Sequence, residues 1–178
     1  MAPILQSFQR WKFSATNVPI FLILLQVFGT SLAELSKNEA QMKNLMAQGI
    51  KYLSIKQPAE ALSNFHQAVA LAGSTDYLPF YHRATALLAV GRAEQAISDL
   101  DVVLERRPSF SSARLQRANA LLRIGKPEEA IVDYDEVSRT DESADVALEA
   151  SQAAEKTREL VALLGRAEQM TDPEMLKT

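Results

Sequence analysis

The sequence predicts an all-α solenoid of three stacked helix pairs closed by a long last helix. Two observations carry that prediction. Small and apolar residues recur with a period of 34–35 residues, and glycine and proline fall mainly where such helices would start or stop. Six glycines and seven prolines in 178 residues are few for an all-β chain. Alanine, leucine, glutamate and glutamine, which helices tolerate best, recur throughout.

The first 33 residues read as an address rather than as part of the repeat. Arg10 and Lys12 are the only charged residues before Glu34, and Val18 to Phe28 form an apolar run broken only by Gln26. Ser31 and Ala33 then supply small residues at −3 and −1. A basic start, a short apolar core and small residues before a cut are the pattern of a secretory signal peptide, cleaved between Ala33 and Glu34. A membrane-spanning helix needs about 20 apolar residues, and this run is too short, so no stable membrane span is expected after cleavage. Removing the segment takes the formal charge from −3 to −5. The expected location is the endoplasmic-reticulum lumen, or outside the cell, with no Lys-Asp-Glu-Leu-type tail at Met175–Thr178.

The repeat occupies residues 34–142, in units of about 42–75, 77–110 and 111–142. Gly49, Ala84 and Ala118 hold equivalent places in the first helix of each pair. Ala61, Ala96 and Ala130 do so in the second. Small residues at both places let two antiparallel helices approach closely. Tyr52, Leu87 and Leu121, then Phe65, Leu100 and Tyr134, and finally Ala68, Val103 and Val137 fill the space around that contact. Gly91 and Gly125 stand just past a helix end, where a left-handed cap is wanted, with Lys56 at the matching place in the first unit. Pro58 and Pro127, with Ala93 between them, open the second helices, where a missing N–H is harmless.

In chain order the expected helices are 40–55, 58–72, 76–90, 93–106, 109–124 and 127–139, with Pro108 separating the second unit from the third. A seventh, 143–170, carries Leu148, Leu160, Leu163 and Leu164. It is either a cap for the last pair or the first helix of a fourth. Gly165 and Pro173 are expected to break the pattern, with 171–178 a tail. One such pair cannot bury its apolar face alone, so about three pairs and a cap are near the minimum that folds.

These positions, from Met42 to about Glu142, resemble the tetratricopeptide repeat. The strings Leu62–Val69, Tyr81–Thr85 and Ala113–Ala118, following a secretory signal, further resemble the N-terminal part of the DnaJ homolog subfamily C member 3 family. That resemblance implies an endoplasmic-reticulum co-chaperone whose N-terminal repeats hold misfolded clients. Members of that family also carry a J domain that engages the lumenal Hsp70 machinery, and they are described as inhibitors of eIF2α kinases. No His-Pro-Asp triplet occurs here, since Gln67 follows His66 and Arg83 follows His82. Stimulation of Hsp70 is therefore not carried over, and any regulation of eIF2α kinases rests on family analogy alone.

In stacked helix pairs the first helices line the concave face. The outward positions are Lys43, Met46, Ile50 and Leu53, then Leu78, Tyr81, Thr85 and Leu88, then Ser112, Leu115, Asn119 and Leu122. The eight apolar or aromatic ones, Met46, Ile50, Leu53, Leu78, Tyr81, Leu88, Leu115 and Leu122, form a candidate groove for apolar segments of unfolded polypeptides. A scaffold docking one specific partner is the alternative reading. A clamp for the acidic tails of cytosolic chaperones needs Lys, Arg and Asn at fixed places. Those places hold Met46, Ile50, His82, Ser112 and Gln116 instead.

Composition excludes other classes. A formal charge of −3 offers no basic excess to nucleic acid. With no cysteine and two histidines there is no thiol nucleophile and little from which to build a metal site, so neither a metal nor another cofactor is expected. Asp99, Asp101, Asp133 and Asp135 stand two apart within helices, where they do not face each other, and are expected to solvate a surface. Arg106, Arg107, Arg114, Arg117 and Arg123 are expected in surface ion pairs. His66 and His82 are expected in packing or hydrogen bonding. The chain reads as a binding protein, not an enzyme.

Overall fold

The computed structural model describes residues 18–170, with side chains from Leu32 onward except that of Glu168. Arg10, Lys12 and the expected tail at 171–178, Pro173 included, lie outside the described residues. The chain divides into two units, 1–41 and 42–178, and the second holds the repeat. Seven helices are described: α1 (Val18–Ser54), α2 (Pro58–Leu71), α3 (Leu78–Ala89), α4 (Ala93–Arg106), α5 (Ser111–Arg123), α6 (Pro127–Thr140) and α7 (Ala144–Met170). No strand occurs among the described residues.

Two expectations are corrected. The first helix begins at Val18 rather than near residue 40. After Pro19, which falls in the first turn where proline is tolerated, nothing in the apolar run forbids a helix. Gly165 does not break α7, which continues to Met170. A single interior glycine costs about 1 kcal/mol relative to alanine, too little to end an otherwise good helix.

Within residues 42–178 the period translates directly into packing. Ala61, Ala96 and Ala130 have no exposed surface, nor do Ala84 and Ala118, while Gly49 is buried at the matching place in α1. Phe65, Leu100, Val103 and Val137 are fully enclosed beside them. Gly49 shows why a small residue is required: a Cβ there would lie 2.4 Å from Phe65 Cε1. The ring occupies the space that an alanine methyl would need.

The turns within the pairs share one geometry. Gly91 and Gly125 take φ values of 80° and 74°, and Lys56 takes 59°. At each, the next residue's N–H reaches back to the helix: Gln57 to the Tyr52 carbonyl (2.9 Å), Arg92 to Leu87 (2.8 Å) and Lys126 to Leu121 (3.0 Å). With the bonds from the Lys56, Gly91 and Gly125 N–H groups to the Leu53, Leu88 and Leu122 carbonyls three residues back (3.0, 3.2 and 3.2 Å), these are three copies of a Schellman cap. The chain then turns directly into Pro58, Ala93 or Pro127.

From α2 to α7 each helix packs on the next, and α3 also touches α5. The core forms two clusters, one around Phe65, Leu87 and Leu100, the other around Leu121, Tyr134 and Ala154 of α7. Ala150, Ala154 and Thr157 of α7 are buried, whereas Leu148, Leu160, Leu163 and Leu164 are exposed. The first half of α7 thus covers the third pair.

Candidate functional site

The eight groove residues divide by burial. Ile50 and Leu78 are 45% and 46% exposed, far more than core side chains. Met46, Leu53, Tyr81 and Leu88 are half-buried and lean on the first core cluster. Leu115 and Leu122 do the same on the second. The first-helix face therefore has an apolar floor partly held by the core, with two side chains standing free above it.

Polar side chains join the first helices of pairs two and three along that face. The Gln116 carboxamide donates to the Tyr81 hydroxyl (2.9 Å) and accepts from Thr85 Oγ1 (3.2 Å). Arg123 donates to the Leu88 carbonyl (3.2 Å). The Tyr134 hydroxyl donates to Asn119 Oδ1 at 2.7 Å. Burial holds the Tyr81 phenol above its ordinary pKa. Burial, aided by Asp133, does the same for Tyr134. Both therefore remain O–H donors at neutral pH. Aromatic rings thicken the floor: Phe110 lies 4.9 Å from the Tyr81 ring and 5.6 Å from that of Tyr77.

The places where an acidic-tail clamp would put cations hold none. Met46 and Ile50 are apolar, and Gln116 is engaged with Tyr81 and Thr85. Ser112 is exposed with only a hydroxyl to offer. His82 stacks on Phe65 with centroids 5.7 Å apart, and burial depresses its pKa, which favours the neutral ring. His66 accepts a long hydrogen bond from Arg83 (3.4 Å), and burial followed by that neighbouring cation depresses its pKa. Both histidines serve packing and hydrogen bonding.

The carboxylates depart from expectation. Asp99 and Asp133 do not solvate a surface; they are 5% and 2% exposed. Each receives a guanidinium from the first helix of its own pair. Arg83 binds Asp99 through Nε and Nη2 at 2.7 and 2.6 Å, and Arg117 binds Asp133 at 2.8 and 2.6 Å. Arg117 also reaches Asp101 (2.6 Å), and its two carboxylate partners, Asp133 first, raise its already high pKa. Asp101 and Asp135 are exposed, and Asp135 pairs with Arg158. These bidentate pairs fasten helix to helix. Arg83 was missed in the sequence, although Arg83 and Arg117 stand 34 residues apart, as do Asp99 and Asp133. Among the described residues no three His, Asp or Glu side chains gather to hold a metal ion.

No protein-family model matches the chain. Curated relatives do. The DnaJ homolog subfamily C member 3 of Gallus gallus is 40% identical over 100 residues, 56% of this chain and 19% of the relative. Its counterpart from Homo sapiens is 40% identical over 98 residues, 54% and 19%. A tetratricopeptide repeat and J domain-containing co-chaperone of Fusarium oxysporum is 39% identical over 75 residues, 42% and 14%. The chain thus spans about a fifth of the length of the relatives it matches. Among solved structures, the tetratricopeptide domain of P58(IPK) superposes with a TM-score of 0.64 at 35% identity, over 74% of this chain and 36% of that one. The first such domain of Spaghetti (RPAP3), bound to an Hsp90 peptide, does so at 0.62 and 22% identity, over 69% and 94%. The fold is a tetratricopeptide-repeat solenoid, and the chain resembles the N-terminal part of DnaJ homolog subfamily C member 3.

Proposed function

We propose that this chain is a co-chaperone-type binding module that holds extended, apolar segments of unfolded polypeptides on its first-helix face. The observation that carries the reading is the exposure of Ile50 and Leu78 above a half-buried apolar floor. Free apolar side chains gathered on the concave side of a repeat protein suit a partner that brings its own apolar groups. The likeness to DnaJ homolog subfamily C member 3 and to the P58(IPK) repeat domain supports co-chaperone work. The missing cations at the clamp places argue against the acidic chaperone peptides found on more distant neighbours.

The mechanism needs neither nucleotide nor metal. Client side chains bury against Ile50, Leu78 and the floor, and about 25 cal/mol is gained per Å² of apolar surface removed from water. Ordering an extended client opposes that gain, so binding is modest and reversible. The leader-like start of the sequence supports action in the endoplasmic-reticulum lumen or beyond. Among the described residues no helix is long and apolar enough to cross a membrane. Protease protection after translation with microsomes tests that location.

Holding is tested by suppression of aggregation of heat-unfolded model proteins. Ile50→Ser with Leu78→Ser is the informative variant, because neither side chain belongs to the core. Wild type is expected to keep clients soluble and the variant, at unchanged melting temperature, to lose most of that effect. Equal suppression by both would remove the groove from the mechanism. No suppression by either would turn the reading to a scaffold with one dedicated partner.

A further inference from the structure

We propose that Asn119 reads the main chain of the bound polypeptide, its carboxamide turned by Tyr134 so that the N–H donors meet a client backbone carbonyl. The inference rests on the groove reading above and adds a specificity element to it. Tyr134 is 3% exposed, and its ring belongs to the second core cluster. The acceptor for its hydroxyl is Asn119 Oδ1, at 2.7 Å. A buried hydroxyl stripped of its acceptor costs about 1–3 kcal/mol. That penalty keeps the carboxamide with its oxygen toward Tyr134 and its nitrogen away.

Asn119 itself is exposed, and its Nδ2 has no partner among the described residues. An oriented donor pair on a binding face loses less freedom when a ligand arrives than a swinging side chain does. Gln116, on the preceding turn of α5, is fixed in the same manner by Thr85 and Tyr81 and keeps one N–H unassigned. Two oriented carboxamides therefore stand between Leu115 and Leu122.

The matching place in pairs one and two is held by Ile50 and Thr85. Along the three first helices this position changes from apolar to hydroxyl to carboxamide. The expected occupant is an extended peptide, uncharged where it crosses α5, with apolar side chains at the Ile50 end and a bare carbonyl at Asn119. Arg123, one turn further along α5, is turned to the Leu88 carbonyl, so the donors left at Asn119 are uncharged amides, which suit a peptide carbonyl better than a carboxylate.

The test is fluorescence anisotropy with the full chain and a labelled, terminally blocked peptide of leucine and serine. Asn119→Asp preserves an acceptor for Tyr134 and removes the donors. It is expected to weaken binding about tenfold, a 1.4 kcal/mol change, with the thermal melt unmoved. Tyr134→Phe, which frees the carboxamide, is expected to weaken binding severalfold. Restored affinity in Asn119→Gln is expected to be partial, since the longer side chain misplaces the donor. If Ile50→Ser with Leu78→Ser abolishes binding while Asn119→Asp and Asn119→Ala bind like wild type, the groove stands and the role of Asn119 is overturned. If Tyr134→Phe alone binds like wild type, the orienting role of Tyr134 is overturned. If wild type does not bind the peptide at all, the groove reading fails and this inference fails with it.

Discussion

The first helix pair and the two that follow meet the same packing problem with different chemistry. Pairs two and three join their helices with a buried guanidinium–carboxylate fork, Arg83 to Asp99 and Arg117 to Asp133. In pair one the matching places hold Gln48 and Asn64, and these amides turn back onto their own helices. Gln48 donates to Asn44 (3.2 Å) and Asn64 to the Glu60 carbonyl (2.9 Å). Pair one relies on closeness instead, with the Phe65 ring seated against the bare backbone of Gly49. A buried ion pair is thus not required for this architecture. It is one of two ways to hold a pair together, and each way fails differently when disturbed.

The largest effect is expected from breaking a fork. Arg117→Gln removes the bidentate partner of the almost fully buried Asp133 carboxylate and leaves it only the longer contact with Arg114, at 3.5 Å, which costs about 3 kcal/mol where a buried pair loses one partner. Adding Asp133→Asn gives pair three the amides of pair one. Because the buried charge is then gone, the double variant is expected to recover more than half of the loss. Urea unfolding of the two variants beside wild type measures this. A double variant no better than Arg117→Gln would mean that the amides of pair one are tolerated only because Gly49 and Phe65 hold that pair.

The converse change is somewhat smaller. Gly49→Ala drives a methyl into the Phe65 ring, and overpacking of this kind costs about 1–3 kcal/mol. Pair two has Ala84 and Leu100 where pair one has Gly49 and Phe65. Gly49→Ala with Phe65→Leu therefore imports a combination the fold already uses. The double variant is expected to be more stable than Gly49→Ala alone, with a coupling of about 1 kcal/mol, as contacting residues show. Additive losses in thermal unfolding would show that the two positions do not compete for the same space.

How much of this was legible in the sequence depends on the kind of interaction. Fold and repeat register were, because cap glycines and helix-opening prolines report local backbone requirements, and the small residues recur at one fixed interval. Even Lys56 could be placed at a cap position, by its interval from Gly91 and Gly125. The burial of Asp99 and Asp133 was not read, because a carboxylate taken alone is a surface residue and only its partner sixteen positions away makes burial tolerable. The 34-residue interval shared by both arginines and both aspartates carried that signal. For the eight groove residues, positions along the first helices could not give the division between exposed Ile50 and Leu78 and the six half-buried neighbours. That division depends on how deeply each side chain sits between adjacent helices. Asn119 was placed on the face, yet its orientation by Tyr134 requires knowing where a phenol from α6 ends.

The smallest expected effect concerns the caps, and there the pairs differ in sign. Lys56 holds a left-handed conformation, φ 59°, that its glycine counterparts adopt freely. For a residue with a Cβ that conformation costs roughly 1–2 kcal/mol, while glycine loses about 0.5–1 kcal/mol more backbone freedom on folding. Lys56→Gly is therefore expected to stabilise the chain by about 0.5 kcal/mol. Gly91→Ala and Gly125→Ala are expected to destabilise it by a similar or slightly larger amount. A Cβ at either glycine would meet nothing within 4 Å, so only the backbone conformation opposes these substitutions. Opposite shifts in melting temperature would assign the difference between the pairs to this one angle. A loss of stability in Lys56→Gly would instead mean that the lysine side chain itself supports the first turn, through packing of its stem or its charge near the C-terminal end of α1.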